Sequence, residues 1–203
     1  PVISSPMDTV TESSVAIAMQ AFGGLGIIHR YNTIDEQVAL VRDARMKGEN
    51  HVGAAIGVTG DYEERSCMLY DAGARIICLD IAHGHHAMMK SAIKNLKKVF
   101  GDDVHIMAGN VASLEAFDDL SKWGADSIRV GIGGGSICST RIVTGHGVPT
   151  LQSVLDCSRS VYDTKIIADG GIKTTGDVVK AIAAGADFVI VGSMLAGTNE
   201  TPG

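Results

Sequence analysis

Apolar runs of strand length alternate along this chain with stretches whose apolar residues recur at helical spacing, and the alternation repeats about every 25 residues. Strands are expected to begin near Val2, Gly26, Val52, Arg75, His105, Ser127, Lys165 and Phe188. Runs such as Ile76-Ile77-Cys78-Leu79 and Phe188-Val189-Ile190-Val191 are apolar on both faces. That pattern suits a parallel sheet with helices on one side and a filled interior on the other. The helices carry their own punctuation. Thr33-Ile34-Asp35-Glu36 has the form of a capping box, in which hydroxyl and carboxylate each accept from the other residue's amide, and it opens a helix running toward Met46. Segments 61–72, 113–123 and 175–184 end at Gly73, Gly124 and Gly185, where a left-handed C′ residue is favoured. Each of these glycines is followed by Ala and then a strand, a weak internal repeat. Eight βα units in 203 residues predict an α/β fold, a (β/α)8 barrel occupying 1–203 as one domain, with its eighth helix not reached by Gly203.

Composition narrows the class. Hydrophobic residues make up 45% of the chain and charged residues 20%, which suits one globular domain. The net charge is −6 and Lys and Arg are scattered, so neither nucleic acid nor another polyanion is indicated as a partner. Cys67, Cys78, Cys138 and Cys157 lie far apart without a CxxC pair. This speaks against a disulfide framework or thiolate zinc site, and for a reducing, cytoplasmic setting. No apolar run approaches the roughly 18 to 20 residues that span a bilayer, and no basic-then-apolar leader opens the sequence, so no membrane role is expected. The chain starts at Pro1 rather than Met and stops just past an apolar strand, so both ends read as cuts from something longer.

In such a barrel the chemistry sits at the C-terminal ends of the strands. Those ends read Ser5-Pro6-Met7-Asp8, His29-Arg30, Gly57, Asp80-Ile81-Ala82-His83, Gly109-Asn110, the run 131–138, Asp169-Gly170-Gly171 and Gly192-Ser193. The starts of the sixth and seventh strands are about 38 residues apart, and the excess is the loop 131–149. It opens with glycine at 131, 133, 134 and 135, a backbone able to take positive φ and to approach a ligand or ion closely. Cys138, alone among the cysteines in lying on a loop, is the candidate nucleophile, since a thiolate is the reactive form. Cys67, Cys78 and Cys157 are expected in the core. The glycine turns after the seventh and eighth strands suit a phosphate held by backbone amides. Asp169 suits ribose hydroxyls, so phosphate and sugar together point to a nucleotide. His83-Gly84-His85-His86 has a His-x-His spacing compatible with a hydrolytic metal site, but only His29 and Asp169 offer partners at strand ends, and the metal reading is set aside. Met88 and Met89 open a helix whose Ile93, Leu96 and Val99 are expected to form its core face. Asp118-Asp119 and the run 94–98 are expected on solvated faces.

Five stretches carry a resemblance. "SSPMDTVTE" (4–12), "AGNV" (108–111), "VGIGGGSICSTRIVTGHGVP" (130–149), "ADGGI" (168–172) and "VGSMLAG" (191–197) together resemble the inosine monophosphate dehydrogenase and guanosine monophosphate reductase family, in order along essentially the whole chain. The resemblance implies that Cys138 attacks C2 of a purine nucleoside monophosphate and that Thr140 takes part in proton handling. It implies that Ser5 and Met7 hold the base, Asp169 the ribose, and Ser136, Gly171, Gly192 and Ser193 the phosphate. Asp80, Asn110, Arg129 and Gly131 match positions on the nicotinamide side. It further implies a potassium ion on the carbonyls of Gly133, Gly135 and Cys138, and a homotetramer. The implied reaction is oxidation of inosinate to xanthylate with NAD.

The chain also departs from the family pattern. Gly134 stands where the family usually has Pro, which predicts a looser loop. Ile81 follows Asp80 where the dehydrogenase commonly has a hydroxyl residue, and "DIAHGH" is similar to the reductase, which would convert guanylate to inosinate with NADPH. "DTVTE", "HVGAAIGV" and "RIVTGHGVP" favour the dehydrogenase. The stretch 46–50 lies where most dehydrogenases insert CBS modules, so none is expected here. The family's mobile flap, and the Glu that partners Thr140, match nothing before Gly203. A nucleotide-binding remnant with impaired catalysis is therefore the third alternative.

Overall fold

The alternation in the sequence closes into a ring. The computed structural model describes residues 1–48 and 51–202. Strands β1 (Val2–Ser4), β2 (Leu25–Ile28), β3 (Gly53–Ile56), β4 (Ile76–Asp80), β5 (His105–Val111), β6 (Ser127–Val130), β7 (Lys165–Asp169) and β8 (Phe188–Val191) form a closed parallel barrel in sequence order. β1 completes it by pairing with β8, with Ile3 opposite Ile190. Helices α1 (Ser13–Ala21), α2 (Ile34–Lys47), α3 (Tyr62–Asp71), α4 (Ala87–Phe100) and α5 (Leu114–Trp123) follow the first five strands. After β6 come a short α6 (Thr140–Thr144) inside the long loop and then α7 (Thr150–Cys157), while α8 (Thr175–Ala183) links β7 to β8. Among the described residues no helix follows β8. The chain passes directly from α2 to β3, and the part of 46–50 that follows Gly48 lies outside the described residues.

Strand alternation sorts the core into two layers. Ile3, Ile27, Ala55, Cys78, Met107, Ile167 and Ile190 point inward and fill the barrel, whereas Ile28, Ile56, Ile77, Leu79, Ile106 and Ile128 point outward against the helices. Ile93 and Leu96 of α4 and Phe117 and Leu120 of α5 are almost wholly buried in that outer layer. Each such side chain contributes about 1.5–3 kcal/mol through burial. The Thr33 box forms as expected, and Thr174 and Asp177 build a second one on α8. Gly73, Gly124 and Gly185 all take φ near +110°.

Three expectations about side-chain environment are corrected. Val99 is 61% exposed because it falls one step off the α4 stripe of Met89, Ala92, Ile93 and Leu96, and Met88 is exposed for the same reason. Cys67 is exposed on α3, where Arg65, Ser66 and Leu69 take the buried positions. Lys97 and the Asp pair of α5 are engaged rather than simply solvated: Lys97 Nζ bonds Asp126 at 2.8 Å, Ser160 donates to Asp118, and His85 faces Asp119 at 3.0 Å.

Candidate active site

The C-terminal strand ends surround a cleft of about 590 Å³. Its lining includes Ser5, Met7, Asp80, Asn110, Gly131, Gly133, Gly135, Cys138, Thr140 and Asp169, so ten of the residues singled out from the sequence converge on one space. Ser136, Gly171, Gly192 and Ser193 lie off that lining, although Gly192 packs on it: a Cβ there would meet the Met7 sulfur at 3.4 Å and Ser5 Cβ at 3.5 Å.

The glycine loop is held backbone to backbone against the turn after β7. A Cβ on Gly131, at φ +144°, would lie 1.9 Å from the Asp169 carbonyl oxygen. One on Gly170 would meet the Gly135 nitrogen at 3.1 Å. These are the positions where glycine is required, because any side chain would separate the two turns. Gly134 is packed rather than loose, since the Thr150 hydroxyl would sit 2.4 Å from its Cβ and the Gly170 carbonyl 3.2 Å away. Thr150 Oγ1 also reaches the Asp169 carbonyl at 3.4 Å, a contact with no signal in the sequence beyond its position at the start of α7.

Cys138 ends this loop, half-buried, just before α6. Its thiol is held below the usual range, first by the hydroxyl of Thr140, then by the Thr140 amide, with Arg141 and the Gly133 amide adding to them and burial opposing. Cys78 and Cys157 are buried, and burial pushes both thiols up to about 12. Cys138 alone thus combines a lowered thiol with a place on the cleft wall.

A buried ion cluster forms the floor. Arg129, only 6% exposed, donates through Nη1 to Asp80 Oδ1, and through Nε and Nη2 to Asp169 Oδ2 at 3.1 and 2.7 Å. Burial disfavours its charge, but Asp169 and Asp80 outweigh that and raise its pKa well above the ordinary value. Asn110 Nδ2 joins Asp169 Oδ2 at 2.7 Å to the Gly131 carbonyl at 2.9 Å, tying the start of the loop to β7. All three donors converge on Oδ2 and none of these bonds uses Oδ1. Arg129, placed by resemblance beside the cofactor, lies beneath the cleft lining and orients the two carboxylates that are on it.

The histidine cluster does other work. His86 accepts from the Met88 amide and caps α4, and His85 stacks on Trp123 beside Asp119. Among the described residues no group of His, Cys, Asp and Glu could hold a metal ion. The cleft also presents Asp8, Arg30 and Tyr31. Arg30 appeared in the sequence only as a strand end, and Tyr31 did not appear; the strand-end rule is the signal that finds both. No helix among the described residues is long and apolar enough to cross a membrane.

Comparisons with known proteins show the family of the chain. A family model described as the IMP dehydrogenase / GMP reductase domain matches residues 1–203. The chain is 52% identical over 159 residues to an inosine-5′-monophosphate dehydrogenase of Nitrosopumilus maritimus, covering 77% of this chain and 33% of that protein. It is 52% identical over 160 residues to a GMP reductase of Leishmania major, covering 77% and 32%. A crystal structure of the inosine 5′-monophosphate dehydrogenase from Legionella pneumophila superposes with a TM-score of 0.92 at 49% identity, over 100% of this chain and 61% of that one. The chain thus spans about a third of the length of these two curated relatives. With its closed barrel, its glycine loop carrying Cys138 and Thr140, and a model match from end to end, the chain belongs to the IMP dehydrogenase / GMP reductase family.

Proposed function

We propose that this chain is the core of a purine nucleotide oxidoreductase that oxidises inosinate to xanthylate through a covalent adduct on Cys138. The observation that carries the reading is the Cys138 thiol, lowered by Thr140 and set on a glycine loop that packs against the Asp169 turn. The Cys138 thiolate adds to C2 of the purine, so that C2 becomes tetrahedral and able to release a hydride. NAD, when bound, supplies the hydride acceptor. Loss of the hydride leaves C2 oxidised by two electrons and still joined to sulfur. Water then adds at C2, the C–S bond breaks, and Cys138 recovers its thiol as xanthylate leaves. Thr140, whose hydroxyl lowers the thiol, is placed to help move the proton in that second half.

The remaining residues divide by position. Asp169, with Oδ1 free of the Arg129 and Asn110 bonds, accepts ribose hydroxyls; Ser5 and Met7 face the base. Ser136, Gly171, Gly192 and Ser193 offer amides and hydroxyls to the phosphate. Asp80, Asn110 and Gly131 border the nicotinamide, with Arg129 fixing Asp80. The Gly133, Gly135 and Cys138 carbonyls are hard oxygen donors of the type that suits potassium, and Gly135 O, which accepts the Cys138 amide at 3.2 Å, keeps a second lone pair. The fit is chemical, and three carbonyls leave the shell for others to complete. Ile137, Ile142 and Val143 are 77–87% exposed beside the cleft, which supports a homotetramer that covers them. A cytoplasmic setting goes with this reading.

Reduction of guanylate with NADPH is the second reading, supported by Ile81 after Asp80 and by the identity to the Leishmania reductase. Parallel assays with inosinate plus NAD and guanylate plus NADPH decide between them. Formation of reduced cofactor in the first is the expected result. Cofactor oxidation with ammonia release in the second would assign the reductase. Tight nucleotide binding with silence in both would leave the impaired remnant.

A further inference from the structure

The β2–α2 loop supplies a wall of the cleft that none of the roles above uses. Arg30 and Tyr31 both line it. In the ring of strands β1 stands between β2 and β8, so this wall is two strands from the β8 turn and three from the β7 turn suited to the substrate phosphate. The other charged side chains of the lining are Asp8, Asp80 and Asp169, which makes Arg30 the one cation among the described lining residues.

Arg30 is only partly engaged by the fold, in a loose ion pair with Asp80. Its Nε is buried yet has no hydrogen-bond partner, and the nearest carboxylate oxygen, Asp80 Oδ2, is 3.7 Å away, beyond hydrogen-bond reach. Asp80 does not depend on it, because Arg129 already takes Oδ1. The guanidinium carbon lies 5.3 Å from the Tyr31 ring centroid, and Nη1 rests over Gly57, where the absence of a side chain leaves it room. The side chain as a whole is 32% exposed, so an incoming anion can reach the guanidinium and meet donors the fold leaves unpaired.

The loop that presents this pair is built on a buried strut. Gln37, fully buried, donates to the carbonyls of His29 at 2.9 Å and Ala55 at 2.8 Å. Arg65 donates to Gln37 Oε1 at 2.9 Å and to the Asn32 carbonyl at 3.1 Å, and Asp61 holds Arg65 at 2.7 Å. His29 Nδ1 accepts the Tyr31 amide at 3.1 Å. The backbone on both sides of Arg30 and Tyr31 is therefore fixed by interior polar groups, which is how a binding surface is preorganised.

We propose that Arg30, supported by the face of Tyr31, is the contact for the diphosphate of the dinucleotide cofactor. A guanidinium beside an exposed aromatic ring is chemistry that recognises a phosphate attached to a flat base. The assignment rests on the oxidoreductase reading, and its test separates the two. NAD, nicotinamide riboside (which lacks phosphate) and inosinate are each titrated into the wild-type chain, Arg30→Ala and Arg30→Lys. Arg30→Ala is expected to weaken NAD binding about tenfold or more, with Arg30→Lys losing less, because a charge-assisted bidentate bond is lost. Nicotinamide riboside and inosinate should bind wild type and Arg30→Ala alike, which also establishes that the variant is folded. Equal NAD affinity in wild type and Arg30→Ala would overturn this assignment alone, as would equal weakening of NAD and nicotinamide riboside. A wild-type chain that binds inosinate but not NAD would overturn it together with the oxidoreductase reading.

Discussion

Thr140 acts on Cys138 through both its hydroxyl and its amide, and the hydroxyl is the larger influence. Replacing it by Val keeps the shape and removes that donor. The Cys138 thiol, held below the ordinary thiol range in the wild type, should then titrate at higher pH. The rate of iodoacetamide labelling at Cys138, followed by peptide mass analysis, should rise at lower pH in the wild type than in Thr140→Val. Coincident profiles would remove Thr140 from the account. Exposed Cys67 serves as the internal reference, and Cys78 and Cys157 should stay unlabelled in the native chain. Gly131 is constrained as tightly. In Gly131→Ala the new methyl would be driven into the Asp169 carbonyl at a positive φ, costing at least about 2 kcal/mol of stability in urea unfolding. Cys138 and Asp169 were legible from residue type and strand-end position. Thr150 was not, because its role depends on the volume left by Gly134, a fact of three dimensions with no local pattern.

Among the elements, the Gly-Ala repeat proves to be a Gly-Ala-Asp device in two of its three copies. Asp126, just before β6, accepts the Ile106 amide of β5 at 2.7 Å through its side chain and donates its own amide to the Ile106 carbonyl at 2.9 Å. Asp187, just before β8, does the same to Ile166 of β7, at 2.8 and 2.9 Å. Each carboxylate thus extends the strand pairing by one bond and fixes register at the N-terminal end of the strands. The third copy has Arg75, which instead donates to the carbonyls of Tyr70 and Ala74 and lies over the Tyr70 ring. Asp187→Ala should cost about 1–3 kcal/mol, since it leaves a strand amide without its acceptor. The Thr33→Ala and Thr174→Ala caps should each cost about 1 kcal/mol and add in the double variant, because they close different helices. Strong non-additivity in denaturant midpoints would contradict independent caps. The strands, the Thr33 box and the glycine stops were readable because each is set by residues adjacent in sequence. The Asp–amide bonds join positions about 20 apart and were not.

For the molecule as a whole, apolar layers fill the barrel waist, and at its mouth Arg129 sits between two carboxylates. Acidification should destabilise the fold through His105, the first residue of β5. Burial holds the pKa of His105 below the ordinary imidazole value, so a proton binds the unfolded chain better, and stability is lost as pH falls from the ordinary value through the lowered one. Asp61, lowered by Arg65 from 3.8, adds a second loss at lower pH by the same sign. Urea unfolding from pH 7.5 to 5 should show falling stability, and a rise would contradict the His105 environment. The barrel and the place of the cleft at its mouth were legible because βα periodicity and strand-end glycines are local signals. The Arg30–Tyr31 wall was less so, because what leaves Arg30 spare is Arg129, 99 positions away. In the proposed reaction Cys138 makes a covalent bond to the purine as the cofactor is reduced. Intact-mass analysis of the chain incubated with inosinate and NAD, alongside the near-ultraviolet absorbance of reduced nicotinamide, tests it most directly. The account predicts an adduct on Cys138 formed together with reduced cofactor, and neither in Cys138→Ser. Cofactor reduction that persists in Cys138→Ser, or an adduct on another residue, would contradict it.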